Sequence, residues 1–472
     1  MMNDLRDFLA LCEQEGEFHR IETEVDWNLE LSHVAKLSEE KGGTVLLFEN
    51  VKGYKTPVVT SIYCNTTRMA MAFGMPKNST IFEMAKKWID ITEKTKGIAP
   101  KVVKTGPILE NQMSGDKVDV LSFPVPRYLP EDLGRYFGTA VNVITKDPET
   151  GIVNSGCYRM EVLDKKSLGC FFAKGKDAEI NMKKYQSRGE LMPIAAVIGA
   201  DPRLLFLSGS TLPHRVSEFD VLGALRGQPL DVVISDVTGL PIPAYAEIVA
   251  EGFLNPDPKS FRDEGPFGEY PGYYSGERSP KPWLDIKRIL FRNQPIFWAE
   301  LVGRPPSANV LIHSLAKTAA VWTQLHDMGI PGIQSVCFPP SSGRFWVVIS
   351  VKQMYPGHSR QVGLATLGTV AGHYGVKGVI IVDDDISADD WERVMWALSV
   401  RYNPATSTEI IHQTRSTPLD PSLPIGQRDV GSQIILDATI PFHWQKKPKM
   451  CELDKAMVEK TKNRWSDFGF KY

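Results

Sequence analysis

No apolar run in the 472 residues approaches the length that a membrane-crossing helix needs. The opening Met1-Met2-Asn3-Asp4 leads straight into an amphipathic pattern, with no signal-like apolar segment. A membrane partner is therefore not expected, and the cytoplasm is the expected compartment. Cysteine is scarce. The six residues (Cys12, Cys64, Cys157, Cys170, Cys337 and Cys451) are scattered without a CxxC pair, which argues against a disulfide framework and predicts reduced, mostly buried thiols. An excess of charge of one sign is also missing: 54 Lys and Arg against 56 Asp and Glu leave a net −2, so nothing electrostatic points to nucleic acid. There is no internal repeat. What remains is an ordinary globular composition, 42% hydrophobic and 23% charged, in a chain long enough for two or three domains.

The chain reads as an α/β (α+β) protein. Residues 1–110 form a small α/β unit: a helix capped by Asn3 or Asp4, a second helix over about 28–40, strands at 44–48 and 57–61, and a helix from Ser79 or Thr80 to Lys94. From 111 to 305 the texture is strand-rich (137–145, 152–162, 168–173, 192–199, 204–207, 230–235, 246–252, 286–290, 295–301), which predicts a barrel or sandwich. Residues 306–330 predict a linker helix. Alternating strands and helices over 331–445 predict a further α/β domain, and 446–472 a charged, amphipathic arm against a partner subunit. The run Asp383-Asp384-Asp385 reads as a solvated turn or cap.

The segment Asp263–Tyr273 sets two glutamates five positions apart across Gly265, Pro266, Phe267 and Gly268. Pro266 removes a donor and the glycines admit turn dihedrals, so a tight loop is predicted that can aim Glu264 and Glu269 into one space. Phe267, Tyr270, Tyr273 and Tyr274 supply apolar surroundings, which raise a carboxyl pKa and favour a proton donor. Taken alone, the same pattern describes a surface turn. Upstream, Asn154-Ser-Gly-Cys-Tyr-Arg159 offers a hard oxygen ligand and a guanidinium suited to carboxylate or phosphate, or simply a strand with a solvated arginine. In Val216-Ser-Glu-Phe-Asp220, Ser217 caps a helix whose dipole Glu218 and Asp220 complement.

In combination and in this order, these segments resemble the UbiD family of reversible decarboxylases. The resemblance runs from Asp4-Leu-Arg-Asp-Phe-Leu9 to Val394-Met-Trp-Ala-Leu-Ser399 and includes Ile435-Leu-Asp-Ala-Thr439. It implies prenylated FMN, made by a flavin prenyltransferase and held in a split β-barrel domain with Mn²⁺ or Mg²⁺ and K⁺. Asn154 and Glu218 match the metal ligands. Thr139, Asn154, Cys157, Tyr158, Arg159, Lys176, Asp177, Ser208, Gly209, Ser210, Thr211 and Lys377 match cofactor contacts. Arg159, Glu264 and Glu269 match the catalytic Glu-Arg-Glu network, with Glu269 as proton donor. The implied partners are an aromatic acid and CO₂, and the implied assembly is a homodimer or homohexamer.

One position departs from the pattern. Where the family often has a metal-binding histidine, eighteen residues after the arginine, this chain has Asp177. It either keeps the site as a hard ligand or caps the next helix. After the loop, Arg304 in Trp298-Ala-Glu-Leu-Val-Gly-Arg304 either binds a second carboxylate, as in a furandicarboxylate, or is structural. Two other classes compete: a non-catalytic scaffold subunit of a larger aryl carboxylase, and a hydrolase built on the paired acids.

Overall fold

The computed structural model describes residues 2–94, 97–210, 212 and 216–470. Its first helix, Leu5–Gln14, begins at Asp4, whose side chain accepts from the Asp7 amide, and buries Leu5, Phe8, Leu9 and Cys12. The neighbouring sheet runs Phe18–Ile21, Val45–Phe48, Val58–Thr60 and then Phe297–Trp298, a strand contributed from far down the chain. The N-terminal unit thus does not close on itself. Its core is continuous with that of the strand-rich region, from Phe8 and Val45 to Ile194 and Ile289.

The central sheet follows the order Tyr136–Gly138, Met160–Asp164, Ser167–Cys170, Trp283–Phe291, Ile248–Leu254, Met192–Ile198, Val141–Lys146, Val153–Gly156, with Asn111–Ser114 also paired to Trp283–Phe291. Connectivity forces this sheet to curl. Tyr136–Gly138 and Val141–Lys146 lie near opposite ends of the order, yet only Thr139 and Ala140 join them, a span of roughly 10 Å at most. The segment Cys157-Tyr158-Arg159 makes a similar short bridge between Val153–Gly156 and Met160–Asp164. A half-barrel results, and the motif residues stand where its two ends approach.

The run expected as one strand over 152–162 is interrupted there for this reason. The strand expected at 204–207 is a helix, Pro202–Gly209: Pro202 presets its first turn and Asp201 accepts from the Arg203 amide, so capping outweighs the apolar run. Ser307 caps the linker helix Ala308–Asp327. Beyond it, a five-stranded sheet (Ile333–Cys337, Trp346–Val351, Gly378–Asp383, Val430–Ala438, Thr408–Arg415) packs on His358–Gly368 around a second core that includes Val321 and Leu325 of the linker. The Asp383–Asp385 run is tied to Arg401 rather than arranged as a ligand set. The helix Lys455–Lys462 buries none of its residues; Met457 within it and Leu453 just before it stand exposed. Among the described residues no helix is long and apolar enough to cross a membrane.

Candidate active site

Glu264 ends the strand Arg262–Glu264, which pairs with Ser279–Lys281. The chain then turns through Gly265 at φ +87°, in the left-handed region that glycine tolerates best. Two buried carboxylates pin the turn: Glu161 Oε2 accepts from the Gly265 amide at 2.8 Å, and Asp132 Oδ1 accepts from the Gly268 amide at 3.2 Å. Burial pushes Glu161 up to about 7 and Asp132 up to about 6. The Tyr136 hydroxyl donates to the Pro266 carbonyl at 3.0 Å, and the Phe267 ring packs on Tyr136. Glu269 closes a second turn, its amide donating to the Tyr273 carbonyl at 2.9 Å.

Both glutamates meet one arginine. Arg159 donates from Nε and Nη2 to the two oxygens of Glu264, each at 2.8 Å, and from Nη1 to Glu269 Oε1 at 2.5 Å. The rings of Phe171 and Phe267 lie 4.4 and 5.2 Å from the guanidinium carbon. Burial works against the Arg159 charge, but the two-pronged bond to Glu264 and the charges of both acids overcome it and hold the arginine ionised. Burial raises Glu269 as well, opposed by Arg159 and by Arg344. The side chain of Glu264 is fully buried, whereas Glu269 keeps 14% of its side-chain surface open. The two acids therefore differ: Glu264 is locked and Glu269 is reachable.

At the other end of the Cys157–Arg159 bridge, Asn154 Nδ2 donates to Glu218 Oε1 at 3.1 Å, and the Ser155 amide donates to Glu218 Oε2 at 2.8 Å. Ser217 caps the helix Glu218–Arg226, and the Glu218 side chain points inward from its first turn. Burial pushes Glu218 up to about 8, and the nearby charge of Asp177 adds to that. Asn154 Oδ1 is buried without a hydrogen-bond partner. An orphaned amide oxygen beside a buried carboxylate is a donor set that fits a hard divalent cation. Gly156 is required because the Tyr158 ring folds back over it: an added Cβ would stand 2.2 Å from Tyr158 Cε2. The Ser208 hydroxyl bonds Ser155 Oγ and accepts from Asn142 Nδ2, each at 2.8 Å, and the Cys157 amide donates to the Ser208 carbonyl, so the end of Pro202–Gly209 is tied to the motif. Ser210 Oγ donates to the Leu207 carbonyl.

Thr139 lies at the other short bridge, accepting from the Glu300 amide at 3.0 Å and bonding the Tyr128 hydroxyl at 2.8 Å. Asp177 opens the helix Asp177–Arg188, where its charge reaches both Glu218 and Tyr158, and Lys176 precedes it. Two expected residues are not brought to the site. Lys377 is engaged by Asp420 at 2.7 Å and by Ser422 at 2.6 Å in the C-terminal domain. Arg304 pairs with Glu40 at 2.7 Å with 70% of its side chain exposed, the structural alternative foreseen for it. Thr211 lies outside the described residues. Glu161 and Asp132 escaped notice in the sequence. Glu161 had a usable signal, since it stands two positions after Arg159 in extended chain and so on the same face; Asp132 had none.

A second pair of acids lies behind Thr139. Glu300 accepts from the Ser61 and Ile62 amides and Trp298 Nε1 at 3.0, 2.8 and 2.9 Å, while Glu39 Oε1 accepts from Ser61 Oγ at 2.8 Å. Burial, then the charge of Glu39, push Glu300 up to about 7. A carboxyl raised in the folded state stabilises fully below its unfolded pKa, and that stability is lost as pH rises through 7. For a shift of this size the loss is on the order of 3 kcal/mol. Melting temperature is expected to fall between pH 5 and 8, and Glu39→Gln to make that fall shallower by lowering Glu300. Equal slopes for both proteins would contradict the coupling.

Comparison with known proteins identifies the family and the fold. Models of the 3-octaprenyl-4-hydroxybenzoate carboxy-lyase N-terminal, Rift-related and C-terminal domains match residues 9–88, 101–305 and 310–438. A protein of Archaeoglobus fulgidus is 32% identical over 98% of both chains. The UbiD-class enzyme HmfF from Pelotomaculum thermopropionicum, solved with FMN, superposes with a TM-score of 0.87 at 28% identity, covering 97% of this chain and 98% of its own. An evolved dimeric form of HmfF, solved with prenylated FMN, gives 0.81 at 28% identity over 96% and 99%. The vanillic acid decarboxylase of Sedimentibacter hydroxybenzoicus in its open form gives 0.87 at 28% identity over 99% and 98%. The chain belongs to the UbiD family of carboxy-lyases.

Proposed function

We propose that this protein is a prenylated-FMN-dependent reversible decarboxylase of an aromatic or heteroaromatic acid, with Glu269 as its proton donor. The observation that carries the reading is the bridge of Arg159 between a locked Glu264 and a reachable Glu269. The HmfF complexes with FMN and prenylated FMN support the cofactor. Asn154 and Glu218 would hold Mn²⁺ or Mg²⁺ against the cofactor phosphate, with Asp177 close by and K⁺ as a second ion; Thr139, Cys157, Tyr158, Lys176 and the Ser208–Ser210 turn would line the flavin.

When bound, the prenylated flavin supplies an electron sink for the carbon left by CO₂. The protein's own groups do the rest. Arg159 orients the substrate carboxylate and holds both oxygens of Glu264 in place. Glu269, held toward neutrality by burial, gives its proton to the ring carbon that loses the carboxyl group. Phe171 and Phe267 limit water around the guanidinium.

The test is to produce the protein alongside a flavin prenyltransferase and measure CO₂ release from aromatic mono- and dicarboxylic acids. Release from none, with flavin retained, would overturn the activity. Protein that never retains flavin would favour the scaffold-subunit alternative. Glu218→Ala is expected to lose bound Mn²⁺ at least tenfold and most flavin with it, read by metal analysis and flavin absorbance. Wild-type metal content in that variant would remove Glu218 from the ligand set.

A further inference from the structure

Between Glu264 and Glu269 the loop has four residues but only three backbone amides, because Pro266 has none. The Phe267 amide stays within the loop, donating to Ser275 Oγ at 3.3 Å. The other two leave it. Gly265, the residue after Glu264, donates to Glu161 Oε2, and Gly268, the residue before Glu269, donates to Asp132 Oδ1. Each glutamate therefore has a carboxylate-held amide as its neighbour. Both holding carboxylates are buried, Glu161 at 2% and Asp132 at 0% exposure, and neither has a part in the chemistry described above.

The two acids stand on fixed chain. Glu161 lies in the strand Met160–Asp164, paired opposite Tyr136 on one side and Gly169 on the other. This stretch grips the loop twice: Arg159 takes the Glu264 side chain, and Glu161 takes the backbone next to it. Two glycines leave the room for that grip. A Cβ on Gly134 would stand 2.3 Å from Glu161 Oε1, and one on Gly169 would stand 3.3 Å from Glu264 Cγ. Asp132 is held in turn, since its Oδ2 accepts from the Leu129 amide at 2.9 Å and its carbonyl accepts from Arg127 Nε at 2.6 Å. Leu129 closes on the loop: a Cβ on Gly268 would stand 2.1 Å from Leu129 Cδ1. Among the described residues the Glu269 carboxylate accepts one hydrogen bond, from Arg159. Its position thus depends on the backbone that carries it.

We infer that Glu161 and Asp132 are positioning residues for catalysis, a clamp on the two loop amides that sets where Glu264 and Glu269 stand relative to Arg159. This rests on the decarboxylase reading. The clamp works through the backbone, and no proton passes through either acid. An acid that must reach one carbon is sensitive to its placement, and a displacement of about 1 Å costs on the order of 10² in rate. The two acids differ in what can replace them. Glu161 gives the loop one oxygen, while the other faces Arg278 at 3.6 Å, so glutamine keeps the acceptor that matters. Asp132 uses one oxygen on Gly268 and the other on Leu129. Asparagine has a single acceptor oxygen and can serve only one of them.

The experiment compares Glu161→Leu, Glu161→Gln, Asp132→Ala and Asp132→Asn with wild type on flavin-loaded protein. Values of kcat and KM come from CO₂ release with benzoate, 4-hydroxybenzoate, 2-furoate and furan-2,5-dicarboxylate, and flavin content from absorbance. Hydrogen exchange of the peptide covering 262–275 reports on the loop itself. Glu161→Leu and Asp132→Ala are expected to lose about 10² in kcat with KM changed by less than about threefold, to keep their flavin, and to exchange faster in the loop peptide. Glu161→Gln should rescue kcat to within about tenfold of wild type, and Asp132→Asn should not. Wild-type kcat in both Glu161→Leu and Asp132→Ala overturns the clamp. A Glu161→Gln variant as slow as Glu161→Leu also overturns it, since that acid would then act through its proton. If the leucine and alanine variants fold too poorly to hold flavin, the conservative pair decides, and equal kcat in Glu161→Gln and Asp132→Asn counts against the proposal. If wild type releases CO₂ from none of the acids, the decarboxylase reading falls and the exchange data decide alone: faster loop exchange in Glu161→Leu and Asp132→Ala sustains the clamp, and unchanged exchange overturns it.

Discussion

Glu269→Gln is expected to abolish decarboxylation and the exchange of labelled bicarbonate into the substrate carboxylate, a loss of about 10² to 10⁴ in rate, while flavin and metal contents stay at wild-type levels. Glutamine keeps the side-chain length and an oxygen able to accept from Arg159 Nη1, a contact of 2.5 Å in this structure. It lacks only the proton that can be given up. Glu264 remains fixed by two bonds of 2.8 Å to the same arginine, so the arrangement around the missing proton should survive. A wild-type rate in this variant would remove Glu269 from its role. The pH profile gives a second reading of the same group. Glu269 must be protonated to act, and burial raises its pKa, so activity should fall on the alkaline side as the proton is lost. Arg344 pulls in the opposite direction, and Arg344→Gln should therefore move that limb to higher pH.

Much of this site could be read from the chain because its chemistry is local. Asn154 to Arg159 and Glu264 to Glu269 are short segments whose residue types and order carry their meaning, and Glu218 sits beside an evident cap. Residues placed by tertiary closure were harder. Nothing near Arg304 in sequence announces Glu40, which lies in the N-terminal unit and takes its guanidinium. Lys377 gave no hint of Asp420. Arg344 is an isolated arginine in a Gly/Ser turn, and only the docking of the C-terminal domain lays it on Tyr270. The same limit applies to the fold. The strands were largely found, but a run of Leu and Phe over 204–207 suits strand or helix equally, and the Asp201-Pro202 start decides for helix. The curl of the sheet follows from pairings that periodicity does not encode: two short bridges join strands from its opposite ends, and both carry site residues.

Those bridges place Arg159 under two demands, and removing it should separate them. Arg159→Met is expected to cost about 3 to 5 kcal/mol in folding stability, because it leaves the buried carboxylate of Glu264 without its partner. It should also abolish activity. The double variant Arg159→Met, Glu264→Gln removes the stranded charge and should recover most of the stability but none of the activity. Arg159→Lys should fall between in stability and still be inactive, since one ammonium cannot reproduce a planar fork that holds both Glu264 oxygens and Glu269 together. Urea denaturation at fixed pH, run beside CO₂ release, distinguishes the outcomes. If the single variant lost less than about 1 kcal/mol, Glu264 would have to be protonated or solvated there, and the locked ion pair would lose its place as the anchor of the site. If the double variant regained activity, Arg159 would be structural alone, and its place as the orienter of the substrate carboxylate would fall.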